Sequence, residues 1–293
     1  MCKSFFRITS PESNPYWQAV ENEGEWSRMD KNQVYNRFQN GPQILITDYA
    51  RGGISEIRAW SGVKSNPKNN DRSGENYNRL AYNSAFPWMQ DGANGEVAMN
   101  YLIKQDAGKW EPLRLYTFKE FENGIFYRNA ELQSNSEVKI NLADITLPGG
   151  ILRVDKIKSP VDIDVRLGHY ALPEKGNSIQ QSRIKLKNGE TAYIISNGEY
   201  SQAMVIYEGW QRMSFVNTQG LHPESKKCTV IDSEARMPYG ERIFITLQLW
   251  KKGKVAFTGK ELNLIKKISI TDNKQSVEIQ FNDNTKKHID LGL

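Results

Sequence analysis

Histidine, cysteine and long apolar runs are all scarce in this sequence of 293 residues, which has 3 His and 2 Cys. Cys2 and Cys228 are too few for a disulfide framework and leave at most one long-range bridge. His169, His222 and His288 are scattered and form no HxH, HExxH or Cys/His cluster, so no metal site and no cofactor is expected. A G-x-S-x-G nucleophile elbow and a Gly-rich phosphate loop are missing, and the Gly pairs at 52–53 and 149–150 read as turns. No apolar run reaches the roughly 18 residues of a transmembrane helix. The opening "MCKSFFRITSPESNPYW" lacks the charged and apolar regions of a signal peptide. A soluble chain that does not export itself by that route is therefore expected. Arg-rich clusters are also absent, and the net charge of +5 is modest, which argues against a nucleic-acid partner as well as a membrane. The excess lysines of residues 251–293 read as a solvated sheet face.

Helical periodicity is nearly absent too. Short alternating runs recur instead, separated by Gly, Asn, Asp and Pro, which is the all-β pattern. "QILITDYA" (43–50) and "ISEIRAW" (54–60) flank Gly52-Gly53. Residues 113–118 and 125–132 flank "KEFENG", whose Asn123-Gly124 is a hairpin signal, and Asn188-Gly189 repeats the device between 183–187 and 190–196. Alternation is cleanest in "VKINLADITL" (138–147) and "VDIDVRL" (161–167), where Val161, Ile163, Val165 and Leu167 face one way. "KKISITD", "SVEIQFND" and "KKHIDLGL" read as a closing meander. Roughly fifteen to eighteen strands are too many for an immunoglobulin-sized sandwich, and no fixed repeat supports a propeller. The expected fold is all-β: a large antiparallel two-sheet β-sandwich with a short irregular N-terminal segment. Residues 1–25 are expected to be a connecting segment and 26–293 the sandwich domain. Pro11 and Pro15 stop any helix in the first twenty residues.

Aromatic residues are the abundant chemistry. Seven Trp and thirteen Tyr can stack on the C–H faces of sugars, while neighbouring Asn, Arg and Asp bond the hydroxyls. The same side chains fill sandwich cores, which is the reading for Trp210 and Trp250. "ENYNRLAYNSAFPWMQDGAN" (75–94) differs, because Trp88 follows Pro87 where a strand gives way to a polar loop. Arg79, Tyr82, Asn83 and Trp88 are therefore candidate sugar-binding residues, joined by His169 in "RLGHYALP" at the end of a strand. Asp144, Asp155, Asp162 and Asp164 are the carboxylates to weigh for sugar hydrolysis. Asp162 and Asp164 alternate with Val and Ile, as on a solvated strand face.

"NPYWQAVENEGEW", "ENYNRLAYNSAFPW" and "GGILRVDKIKSPVDIDVRLGHYALP" (149–173) together resemble the family filed as domain of unknown function 2264. Members show "hPFWxAxExPLP", "KYxKFAYSxxFGF" and "WHVRVHRI" segments in corresponding places. Here "EGEW" replaces the acidic-proline segment, and Asp155 stands where the family often has histidine. The resemblance implies a β-sandwich that follows an (α/α) toroid in carbohydrate-active, β-glucuronidase-like enzymes. This chain would hold the sandwich alone, with the toroid on a separate or missing chain. No catalytic residue is expected here, because an acid/base pair must flank the scissile bond at roughly 5 to 10 Å. Phe5, Tyr16, Trp17 and Trp26 are the expected toroid-contact residues, and a carbohydrate the expected ligand. Two alternatives remain: a free-standing carbohydrate-binding module, and a self-sufficient lyase using Tyr82, Arg79 and His169.

Overall fold

The structure, a computed structural model, describes residues 26–30, 33–37, 44–51, 54–60, 101–106, 108, 110–112, 115–122, 124–147, 150–169, 172–174, 179–198, 200–219, 227–252 and 257–292. These form twenty-one strands and one single-turn helix, Gly259–Leu262. The expected connecting segment 1–25 lies outside the described residues. Apart from that helix, the described elements are antiparallel strands, as the alternating pattern indicates.

Strands β1 (Trp26–Asp30), β2 (Gln33–Arg37), β3 (Ile44–Arg51) and β4 (Ile54–Trp60) follow one another as a four-stranded meander. The β3–β4 pair is the hairpin expected across Gly52-Gly53, with Ile44 opposite Trp60.

Two larger sheets make the sandwich. Their strands are β5 (Tyr101–Gln105), β6 (Glu111–Pro112), β7 (Leu115–Glu122), β8 (Ile125–Leu132), β9 (Asn135–Leu147), β10 (Gly150–Ser159) and β11 (Ile163–Gly168). There follow β12 (Leu172–Pro173), β13 (Gln180–Lys185), β14 (Thr191–Ser196), β15 (Tyr200–Glu208), β16 (Arg212–Gln219), β17 (Lys227–Met237) and β18 (Gly240–Lys252). The eight-stranded sheet has the order β13-β14-β15-β18-β10-β9-β8-β7. In the six-stranded sheet, β11 and β12 share one edge of β17, β16 takes its other edge, and β5 and β6 continue beyond β11.

A third layer covers the other face of the eight-stranded sheet. It consists of the helix and the meander β19 (Ile265–Ile270), β20 (Ser276–Phe281) and β21 (Lys286–Asp290). The central sheet therefore has two cores. Ile140, Leu142, Ile151, Ile157 and Phe244 face the six-stranded sheet with Val165, Leu167 and Ile231. Leu152, Val154, Ile245, Leu247 and Leu249 face the meander with Leu262, Val277, Ile279 and Ile289. This double cover explains why β10 is buried at nine of its ten positions although its sequence alternates.

Both Asn-Gly hairpins form. β7 and β8 close at Glu122 opposite Ile125, with Gly124 at φ 76°. The first strand runs to Glu122, further than the sequence pattern indicated. β13 and β14 close through Leu186 N–H to Glu190 C=O, with Gly189 at φ 103°. In "VDIDVRL", Ile163, Val165 and Leu167 are fully buried, but Val161 precedes the strand and is exposed. Asp162 and Asp164 lie on the wet side, where both pair with Arg236.

Candidate functional site

Arg79, Tyr82, Asn83 and Trp88, together with Phe5, Tyr16 and Trp17, lie outside the described residues. Trp26 begins β1, opposite Arg37. His169 stands where expected, just after β11, but its ring does not open onto a cleft. It is fully buried between the two large sheets, with Nε2 3.3 Å from the carbonyl oxygen of Leu249. That contact requires the N–H on Nε2. Burial holds the ring neutral, with its pKa pushed down to about 3. Its geometry is that of a stitch between sheets, which corrects the expectation of a substrate contact at this position.

The dense chemistry lies close by and was not singled out as a site in the sequence. Arg128 on β8, Asp144 on β9, and Arg153 and Asp155 on β10 all project from the central sheet toward the six-stranded sheet. Asp144 accepts from Arg128 Nη2 at 2.6 Å and from Arg153 Nε at 3.0 Å. Tyr101 on β5 crosses from the opposite sheet and donates its hydroxyl to Asp155 Oδ2 at 2.6 Å. All five side chains are buried.

Aromatic rings cap this network. Trp210, in the passage from β15 to β16, stacks on Tyr101 at 6.1 Å and packs against Phe244 at 4.7 Å. Its Nε1 donates to Thr246 at 2.8 Å, so the indole is anchored at both ends. The core role expected for Trp210 holds, although the residue lies in a connection rather than within a strand.

The electrostatics decide what this cluster can do. Burial raises the Asp155 carboxyl to about 6, although Arg153 pulls it down. Burial, reinforced by the neighbouring Asp155 charge, also pushes the Tyr101 phenol well above its ordinary value. A tyrosine acting as a base needs the reverse shift and an open path to substrate. Asp144 is committed to two guanidinium groups, so Asp144 and Asp155 are not an acid/base pair facing a glycosidic bond. The network joins sheets rather than breaking bonds.

A sequence signal for it existed. Asp144 continues the phase of Val138, Ile140 and Leu142, and Arg153 and Asp155 interrupt that of Ile151 and Ile157. Opposite charges at inward positions of neighbouring strands mark a buried ion pair. Among the described residues no group of three or more His, Cys, Asp or Glu is arranged to hold a metal. No described helix is long and apolar enough to cross a membrane.

Layered antiparallel sheets with a sealed polar seam define a class: a large all-β sandwich module. No family model matches the chain, and neither does any curated protein. Among solved structures it is similar to a heparinase III gene product, with a TM-score of 0.54 and 11% identity over 96% of this chain and 46% of that one. A heparan sulfate lyase HepC mutant from Pedobacter heparinus gives a TM-score of 0.53 and 12% identity over 99% of this chain and 47% of that one. At such identities the likeness establishes the fold. The chain spans under half the length of either structure.

Proposed function

We propose that this chain is the non-catalytic β-sandwich of a machine that cleaves uronic-acid-containing polysaccharides, and that it packs on an (α/α) toroid carried elsewhere. The observation behind this reading is the fold agreement along nearly the whole chain with less than half of proteins named as heparan-type lyases. Sequence motifs resembling domain of unknown function 2264 support the same architecture from an independent direction. Segment 79–94, with Arg79, Tyr82, Asn83 and Trp88, is the part proposed to reach the substrate cleft.

The named neighbours are lyases, which moves the proposed chemistry of the assembled protein from hydrolysis to elimination. A base removes the proton on C5 of a uronate whose carboxylate is neutralised, the C4–O bond breaks, and the departing oxygen takes a proton. Neither the high-pKa Tyr101 nor the buried Asp155 suits that base. The isolated chain is therefore expected to be retarded in affinity gels of acidic polysaccharide, to be retarded less on Trp88→Ala, and to release no unsaturated product. Ultraviolet absorbance of the 4,5 double bond reads the last point. Turnover by the purified chain would overturn the non-catalytic assignment, and unretarded migration would overturn the carbohydrate one.

A further inference from the structure

A cavity of about 860 Å³ opens where the β13–β14 hairpin, the end of β9, the short helix and the β19–β20 end meet. Its size suits a small ligand. The floor is apolar, formed by Leu147, Leu186, Leu264 and Phe281. Lys185, Lys187 and Lys260 also line it, with Asp283 the one acid among the described lining residues.

These lysines differ from others on the same side of the molecule. Lys251 is paired with Glu261, Lys286 with Glu278, and Lys266 with the side-chain oxygen of Asn284. Lys185, Lys187 and Lys260 have no ion-pair partner among the described residues. Three cations that line one hollow without a described ion-pair partner repel one another, and an anion there would relieve the repulsion. Asn282 donates its amide to the Asn263 carbonyl, which braces that wall. The Asp283 carboxylate already accepts from Thr285 N–H at 2.8 Å and Thr285 Oγ1 at 2.6 Å.

The combination selects a ligand chemistry. Cations call for a carboxylate or sulfate, and the apolar lining calls for C–H surface. Inorganic sulfate supplies only the first of these. We infer that the hollow bounded by Lys185, Lys187, Lys260, Asn263 and Phe281 binds an acidic sugar unit. The inference rests on the carbohydrate reading above and adds a docking point to it.

Calorimetric titration of the full chain tests this with four probes: a uronate-containing disaccharide, a neutral disaccharide, inorganic sulfate and an acidic hexapeptide. The acidic disaccharide is expected to bind best and to weaken with salt. Its affinity should fall roughly tenfold or more in K187A/K260A and stay unchanged in Lys139→Ala, an exposed lysine of β9 that does not line the cavity. All three lining lysines are exposed, so the double variant should unfold at the wild-type temperature. Unchanged affinity in K187A/K260A would overturn the site while leaving the carbohydrate reading intact. Sulfate or the hexapeptide binding as tightly would overturn the sugar assignment. No binding of any acidic sugar would remove both.

Discussion

Asp144 bonds two guanidinium groups at once, and both are sealed between sheets. Replacing it with alanine strands two buried cations, a change that typically costs about 3–5 kcal/mol. Asp144→Ala is therefore expected to lose that much in urea unfolding, more than Asp164→Ala, whose carboxylate is partly exposed. A loss below about 1 kcal/mol would mean that the network contributes little. Asp155 and His169 give a second residue-level test, because burial shifts them in opposite directions. The carboxyl of folded Asp155 titrates near 6 rather than 3.8, so its contribution is present below pH 3.8 and is lost as pH rises through 6. His169 titrates near 3 rather than 6.5, so its contribution is present above pH 6.5 and is lost as pH falls toward 3. Between about pH 4 and 6 the two slopes oppose each other at about 1.4 kcal/mol per pH unit each. Relative to wild type, Asp155→Asn should lose stability on acidification through that window and His169→Gln should gain it. Parallel stability curves for all three proteins would show that neither group titrates as its burial requires.

Gly209 illustrates how an element depends on one backbone position. It lies between β15 and Trp210 at φ 80°, and a Cβ there would press on the Ile243 carbonyl oxygen and the Phe244 ring. Gly240 also has a positive φ, 118°, but a Cβ there meets open space. Gly240→Ala should cost only the left-handed strain of about 1–2 kcal/mol. Gly209→Ala adds a backbone clash and presses on the Phe244 ring that packs against Trp210, so it should cost clearly more and red-shift the tryptophan emission. Equal losses in thermal unfolding would sink that distinction. Strand positions and hairpins were legible in the sequence because Asn-Gly turns and period-two alternation are local signals. The face that each strand presents was less so. Asn141, Ala143 and Ile145 look like the wet side of β9, yet they are buried because a third layer lies over them. His169 was misread for a similar reason: a residue after a strand usually meets solvent, but here that position threads between sheets. The seam from Arg128 to Tyr101 stayed hidden because Tyr101 meets Asp155, 54 residues further on, from the opposite sheet, a pairing that no local pattern shows.

For the whole molecule, the C-terminal meander determines whether the central sheet can exist in water. Leu152, Val154, Ile243, Ile245, Leu247 and Leu249 face it from two adjoining strands, β10 and β18. Uncovering six such side chains forfeits on the order of 10 kcal/mol, comparable with the roughly 5–15 kcal/mol that holds a whole domain together. The two-sheet sandwich suggested by the alternation pattern is therefore not self-sufficient, and the third layer is structural rather than an appendage. The basic cavity sits on the joint between this layer and the sandwich, so its walls depend on the same docking. A chain cut after residue 252 should be insoluble or should bind a hydrophobic dye without cooperative unfolding. Supplying residues 257–293 as a separate peptide should restore solubility in part, since their apolar face is complementary to the exposed sheet. A soluble truncated chain that unfolds cooperatively with low dye binding would place the stability in the two large sheets alone.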